Sequence, residues 1–259
     1  MSVLLVSQRD GVATLTLNRP DVRNALDREL FGALNDTLAQ VAEDPEVRCV
    51  VLTGAGKAFC AGGDIRAMME REGKGAETAR YVTRTVAGVV ESLVGMEKPV
   101  VAKVNGDAFG AGMSLVAACD LAYASAESRF GAAFARIGLI PDTGGTWTLP
   151  RKVGLAAAKE LLFFAQTWTA EQARAKGLVN EVVAPAELDK FVQERAQRLA
   201  DGPTLTLGLQ KRSLHYAQTV DVKAALAFEA NVQGLCFTTD EHKEGRTAFL
   251  EKREPRFRK

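Results

Sequence analysis

The sequence predicts an α/β fold with a mostly helical C-terminal portion, and three observations carry that reading. Through the first half, short apolar β-branched runs alternate with stretches whose apolar residues recur at helical spacing, the pattern of a sheet built with crossover helices. Two of the strand signals empty into glycine-rich turns, at Gly62-Gly63 and from Gly106 to Gly112. After Pro150 the strand signals fade, apart from residues 179–183, and from Ala186 onward the chain reads as helices.

Residues 12–17 alternate apolar side chains with Thr, as a half-buried strand does, and Asn18-Arg19-Pro20-Asp21 ends the run. Leu30, Leu34, Leu38 and Val41 then share one helical face, with Asp27 placed as N-cap. Residues 47–53 form a short apolar run that reads as a buried strand, followed by the flexible loop Gly54-Ala55-Gly56-Lys57. A long helix is predicted over 76–96, and Lys98-Pro99 restarts the chain as a strand over 100–104. The glycine-rich turn 106–112, a short apolar helix and a strand over 120–124 come next. Thr169 with Gln172 fits a capping box, Gly177 fits the stop of that helix, and Asp201-Gly202-Pro203 breaks the helical portion. The expected organisation is an α/β core over 1–200 and a helical region over 201–259.

Composition narrows the function. The chain has 259 residues, 47% hydrophobic and 25% charged, with a net charge of +1. This is the make-up of a soluble globular protein, with neither a basic field for nucleic acid nor an acidic arm. His215 and His242 are too few for a histidine-based metal site and read as surface or packing residues. Cys49, Cys60, Cys119 and Cys236 lack a Cys-x-x-Cys pair, which argues against structural zinc and a disulfide framework. The opening Met1-Ser2-Val3-Leu4 lacks the pattern of a secretion signal, and the weakly polar run 99–126 holds Lys103, Asn105, Asp107 and Asp120, which rules out a membrane span there. A reduced, cytoplasmic protein with no membrane or nucleic-acid partner is expected.

Three segments are candidates for chemistry. Gly62-Gly63-Asp64-Ile65-Arg66 ends a glycine loop where a helix should begin. Amides at a helix start lack intrahelical acceptors and can face an anion or a polarised oxygen; equally, the segment reads as a plain loop with Asp64 capping the helix. Gly106-Asp107-Ala108-Phe109-Gly110-Ala111-Gly112-Met113-Ser114 follows a strand and precedes a helix. A dinucleotide loop fails here because Leu115 stands where Gly or Ala is needed. A serine-hydrolase elbow fails because Val116 replaces its second glycine. What remains is a second helix start with exposed amides, and two such starts are what an oxyanion hole requires. Gly138-Leu139-Ile140-Pro141-Asp142-Thr143-Gly144-Gly145-Thr146 carries one carboxylate among apolar neighbours. Such an acid has a raised pKa and can move protons at neutral pH, unless Asp142 merely caps a turn or the helix starting near Thr146.

Together these segments make the chain resemble the crotonase superfamily (enoyl-CoA hydratases and isomerases) along essentially its whole length. The matching residues are Asn18-Arg19-Pro20 with Asn24-Ala25-Leu26, Phe59-Cys60-Ala61-Gly62-Gly63-Asp64-Ile65, Val104-Asn105-Gly106 through Gly112, Cys119-Asp120-Leu121-Ala122, Gly138 through Thr146, and Ala173 to Gly177 with Leu178-Val179. The resemblance implies a ββα spiral core, a helical trimerisation region, and homotrimers or dimers of trimers. It implies an acyl-CoA thioester substrate whose carbonyl oxygen is held by the backbone N–H of Gly63 and of Ala111. It places CoA against Arg23, Ala61, Asp64, Ile65 and Arg66, with Phe249 and Lys252 reaching a neighbouring subunit's CoA. No separate cofactor is implied, coenzyme A being part of the substrate.

The departures from the hydratase pattern matter most. Ser114 and Phe134 stand where hydratases carry their two water-activating glutamates, and neither can act as a base. A carboxylate instead appears at Asp142, the position that carries the acid in some isomerases and in an aromatic-acyl dehalogenase of the superfamily. The run from Gly138 to Trp147 with Leu149-Pro150-Arg151 looks most like the ring-1,2-epoxyphenylacetyl-CoA isomerase branch. The resemblance therefore implies an isomerase in which Asp142 moves the proton. Phe109, Phe134 and Trp147 could exclude water from the intermediate, or simply pack in the core. Hydration with water activated by Asp142, hydrolysis or dehalogenation of an aromatic acyl-CoA, and acyl-CoA binding without catalysis are the competing readings.

Overall fold

A computed structural model describes residues 2–258; the outer ends of the two expected regions, residues 1 and 259, lie outside the described residues. The chain opens as an antiparallel hairpin of β1 (Leu4–Arg9) and β2 (Val12–Leu17). Asp10 and Gly11 turn it at φ 51° and 82°, the two positive angles that match a tight turn to the twist of its strands. In α1 (Arg28–Glu43) the Asp27 carboxylate accepts from the Leu30 N–H at 2.9 Å. Leu30, Leu34, Leu38 and Val41 turn into the core, each worth about 1.5–3 kcal/mol when fully buried.

The chain then repeats one unit, a strand in each of two sheets followed by a helix or turn. The first pass is β3 (Cys49–Gly54), β4 (Ala58–Cys60) and α2 (Ile65–Met69). Next comes α3 (Gly75–Tyr81), which runs through a π-helical stretch (Val82–Val86) into α4 (Ala87–Gly95). The second pass is β5 (Val100–Val104), β6 (Asp107–Phe109) and α5 (Ala111–Ala118). The third is β7 (Leu121–Ser125), β8 (Arg129–Gly131) and a 3-10 turn (Ala133–Ile137). The remainder is α6 (Gly145–Val153), α7 (Leu155–Phe163), β9 (Thr167–Thr169), α8 (Ala170–Ala175), β10 (Glu181–Val183), α9 (Leu188–Ala200), α10 (Thr204–Ala217), α11 (Val222–Cys236) and α12 (Asp240–Glu251).

One sheet has the order β1-β2-β3-β5-β7-β10 and the other β4-β6-β8-β9. From β2 to β10 the larger sheet is parallel, as are β4, β6 and β8 in the smaller one. Both faces of the larger sheet are covered, which explains the unbroken apolar run of β3. Val50 and Leu52 face the main core with α1 and α4, whereas Cys49 and Val51 meet Leu188, Val192, Ala196 and Ala200 of α9. In the turns that carry the chain from one sheet to the other, Asn105 accepts from the Gly54 N–H at 3.2 Å and donates to the Gly56 carbonyl at 3.0 Å, locking the first pass to the second.

Several expectations shift. The predicted strand over 47–53 starts at Cys49, and the predicted helix over 76–96 is interrupted by the π stretch. The turn 106–112 contains β6, and β1, β4, β8 and β9 carried no recognised signal. Strands of three residues are too short to show a period. The Thr169–Gln172 capping box and the break after Ala200 stand as expected. Beyond that break α10 docks on the core, the Lys211 ammonium donating to Asp120 at 2.9 Å and to the Leu93 carbonyl at 2.8 Å. In contrast α11 buries no residue in the chain. Among the described residues no helix is long and apolar enough to cross a membrane.

Candidate active site

The topology brings the two glycine loops together. β4 and β6 are parallel neighbours, so the segments leaving their ends emerge side by side. Their closeness is measured at Gly62: a Cβ there would lie 3.0 Å from the Phe109 carbonyl oxygen and 3.5 Å from the Ala111 nitrogen. Gly62 also adopts φ 101° and Gly110 φ 50°, left-handed angles at which glycine carries no steric cost. At Gly112 a Cβ would stand 2.5 Å from the Cys60 carbonyl oxygen, so α5 can press against β4 only as glycine.

Two amides are left over. The Gly62 N–H donates to the Cys60 sulfur at 3.4 Å, and the Asp64 N–H to the Leu26 carbonyl at 2.9 Å. Between them the Gly63 N–H has no acceptor among the described residues. Ala111 is the first residue of α5, where an N–H has no intrahelical acceptor. Two unpaired N–H groups on abutting loops can share one oxygen that is gaining negative charge. The Met68 side chain packs directly over Gly63.

Asn24 holds this frame. Buried at φ 57°, it donates to the Ala55, Ala58 and Phe59 carbonyls at 2.9, 2.8 and 3.2 Å, and its side-chain oxygen accepts from the Arg19 N–H at 2.9 Å. Asp64 is a cap: its carboxylate accepts from the Arg66 N–H at 3.0 Å and pairs with Arg19 at 3.1 Å. Burial alone would push this carboxyl up, but Arg19 and the amides of Ala67 and Arg66 hold it below the usual range. Asp107 is held by Arg129 at 2.6 Å. Neither acid is available as a base.

The third pass supplies the remaining carboxylate. Its 3-10 turn ends at Gly138, and Gly144, at φ 68°, precedes α6. Gly145 lies over α5, where a Cβ would stand 2.6 Å from the Ser114 hydroxyl. Asp142 is held between these anchors. Gly144, not Asp142, caps α6, and the Thr143 hydroxyl donates to Asp142 at 3.3 Å. The residue is exposed, yet the protein packed around its carboxyl pushes its pKa above the usual carboxylate range. Its own backbone amide, the Thr143 hydroxyl and the Arg71 charge oppose the shift without cancelling it.

The two positions where hydratases carry glutamate are occupied differently. Ser114 is fully buried beneath Gly145, and Phe134 is buried with its ring against Gly110. Phe109 packs on Gly131. Trp147 takes the packing role: its ring stacks under Arg151 at 4.0 Å and meets His215 of α10 edge-on at 6.0 Å.

Arg23, Ala61, Ile65 and Arg66 are all exposed around the Gly63 loop. Arg23, at φ 52°, accepts the Ala61 N–H on its carbonyl at 2.9 Å. Phe249, 83% exposed, and Lys252, at φ 55°, stand at the end of α12, and no hydrogen bond or ion pair joins them to these loops. The sequence reading had given no role to Met68 or Arg71.

Comparison with known proteins fits this geometry. The model of the enoyl-CoA hydratase/isomerase family matches residues 7–259. The 1,2-epoxyphenylacetyl-CoA isomerase of Escherichia coli (strain K12) is 39% identical over 258 residues, covering 99% of this chain and 98% of that protein. A crotonyl-CoA hydratase of Syntrophomonas wolfei is 38% identical over 255 residues, covering 98% and 97%. The crystal structure of an enoyl-CoA hydratase from Mycobacterium smegmatis superposes with a TM-score of 0.93 at 36% identity, covering 99% of each chain. With the two amides, the spiral fold and the full-length match in agreement, the chain belongs to the crotonase superfamily, the family of enoyl-CoA hydratases and isomerases.

Proposed function

We propose that the protein is an acyl-CoA isomerase that shifts a double bond through a thioester enolate, with Asp142 as the single acid and base. One observation carries this reading. Asp142 is the carboxylate beside the amide loops that no cation or helix start has claimed, while Ser114 and Phe134 leave no water-activating pair. The ionised Asp142 takes a proton from the carbon next to the thioester carbonyl. The C–H electron pair passes into a dienolate whose oxygen is held by the N–H groups of Gly63 and Ala111, at about 3 kcal/mol per donor. The same carboxyl then returns the proton at the far end of the dienolate, restoring the carbonyl and moving the double bond. The buried ring of Phe134 and the half-buried ring of Phe109 limit water at that intermediate. Stabilisation of the same oxygen would assist opening of a ring epoxide, the chemistry in the name of the Escherichia coli relative.

Around the amides, exposed Arg23, Ala61, Ile65 and Arg66 with the half-buried Asp64 would hold CoA, with Phe249 and Lys252 serving the CoA of a neighbouring copy. No cofactor beyond the CoA of the substrate enters these steps. The unburied α11, with Val222, Leu226 and Leu235 exposed, supports a homotrimer or a dimer of trimers. We further propose a core over 1–200 with a helical region over 201–259, and a cytoplasmic location. The functional test compares crotonyl-CoA with a 3-enoyl-CoA and ring-epoxidised phenylacetyl-CoA. Isomerisation of either of the latter with little hydration of crotonyl-CoA is expected; fast hydration without isomerisation would overturn the proposal.

A further inference from the structure

Arg19 ties together the starts of two helices on either side of the first glycine loop. Its guanidinium pairs with Asp27 at 3.0 Å and with Asp64 at 3.1 Å, and it also donates to the Ala25 carbonyl. Those two carboxylates are the N-caps of α1 and α2: Asp27 accepts from the Leu30 N–H, and Asp64 from the N–H groups of Arg66 and Ala67. The three charged side chains are only 14–21% exposed, so solvent ions screen them far less than a surface pair. The backbone of Arg19 is held as well. Its N–H donates to the Asn24 side-chain oxygen at 2.9 Å, and its carbonyl accepts from the Asn24 N–H at 2.8 Å.

The groups that Arg19 grips are those that frame Gly63. Leu26, next to Ala25, donates to the Gly62 carbonyl at 2.7 Å and accepts from the Asp64 N–H at 2.9 Å. One residue therefore brackets Gly63 on both sides, while the Gly63 N–H is left without an acceptor among the described residues. One end of the bracket is tied at the Ala25 carbonyl and the other at the Asp64 carboxylate, and a single guanidinium holds both. Without that cation both ties are lost, and Asp27 and Asp64 are left as two like charges in partly buried surroundings. A displacement of about 1 Å at a reacting group can cost about 10²-fold in rate. We propose that Arg19 is a positioning residue for the oxyanion hole, fixing the Gly63 N–H where the thioester oxygen gathers charge. The inference rests on the acyl-CoA reading of the site, and Arg19 acts there through Ala25 and Asp64.

Infrared difference spectroscopy of bound butyryl-CoA, isotope-labelled at its carbonyl, reads the polarisation of that oxygen without turnover. Wild type should move the carbonyl stretch to lower wavenumber. Arg19→Gln should lose most of that movement and lower isomerase kcat about ten- to a hundredfold, while KM stays near wild type. Combining Arg19→Gln with Asp27→Asn removes the repulsion and keeps a side chain that caps helices. This double variant should regain stability but neither the carbonyl shift nor kcat. Arg19→Lys restores the charge without the planar fork that reaches both carboxylates, and should recover only part of each. The inference is overturned if the folded single or double variant keeps the wild-type shift and kcat while melting lower, because Arg19 would then only stabilise the fold. It is also overturned if KM rises while kcat holds, because the guanidinium would then serve CoA binding. An unshifted carbonyl in wild type, or no binding of butyryl-CoA, would instead remove the acyl-CoA reading beneath it.

Discussion

Under the proposed mechanism, the first two passes of the spiral and the third do different chemical work. In the first two, the groups offered to substrate are backbone amides, and their positions follow from strand pairing. β4 beside β6 places the Gly63 loop against Ala111, and Gly62, Gly110 and Gly112 let the loops close. In the third pass the proposed mechanism uses side chains: Phe134 on the 3-10 turn and Asp142 on a loop anchored by Gly144 and Gly145. On this proposal the oxyanion hole is a property of the fold, whereas the reaction is set by a few side chains that can change without disturbing it. Relatives of near-equal similarity named as isomerase and hydratase fit that division.

Altering the third pass should have the largest effect. Asp142→Asn should lower isomerase turnover by about 10²–10⁴-fold, measured by steady-state kinetics, and leave acyl-CoA affinity near wild type. Its stability should move the other way. The folded state raises this pKa, so between the unfolded and folded values it binds more protons, and stability falls as pH rises through that window. At neutral pH the ionised carboxylate costs stability, and Asp142→Asn should melt no lower than wild type. The same shift places the acidic limb of the kcat/KM profile above the range of an ordinary carboxylate, activity rising as Asp142 ionises.

Breaking the frame of the first two passes comes next. Ala111→Pro removes one amide at the first position of a helix, where proline is tolerated, and should cost about 10²–10³-fold in turnover with circular dichroism preserved. Gly112→Ala forces a methyl against the Cys60 carbonyl. It should destabilise the protein by about 1–3 kcal/mol, read as a lower urea midpoint. The smallest effect belongs to Trp147→Ala: with its ring turned toward Arg151 and His215, turnover should stay close to wild type.

The same division explains what was legible in the sequence. The alternation in β2 and the helical spacing of Leu30, Leu34 and Leu38 are local patterns, readable because each face has one environment. The Asp27 and Asp64 caps and the capping box at Thr169 were readable because their partners lie within three residues. β4, β6, β8 and β9 were not, since three residues carry no period and only pairing across the chain makes them strands. Gly63, Ala111 and Asp142 stood out by motif, but their surroundings are long-range. Trp147 stood next to that motif, and its choice between shielding the site and packing depended on its contacts with Arg151 and His215. Arg71 carried no motif, and its link to Asp142 and Tyr81 exists only once α2 and α3 pack.

The most direct measurement follows solvent deuterium into a 3-enoyl-CoA by NMR, with wild type and with Asp142→Asn at saturating thioester. With one carboxyl serving both carbons, wild type should incorporate deuterium at the α and γ positions as it isomerises. Asp142→Asn, still binding the thioester, should incorporate it at neither. Exchange at an undiminished rate in Asp142→Asn would contradict the assignment, because the proton would then be moved by another group.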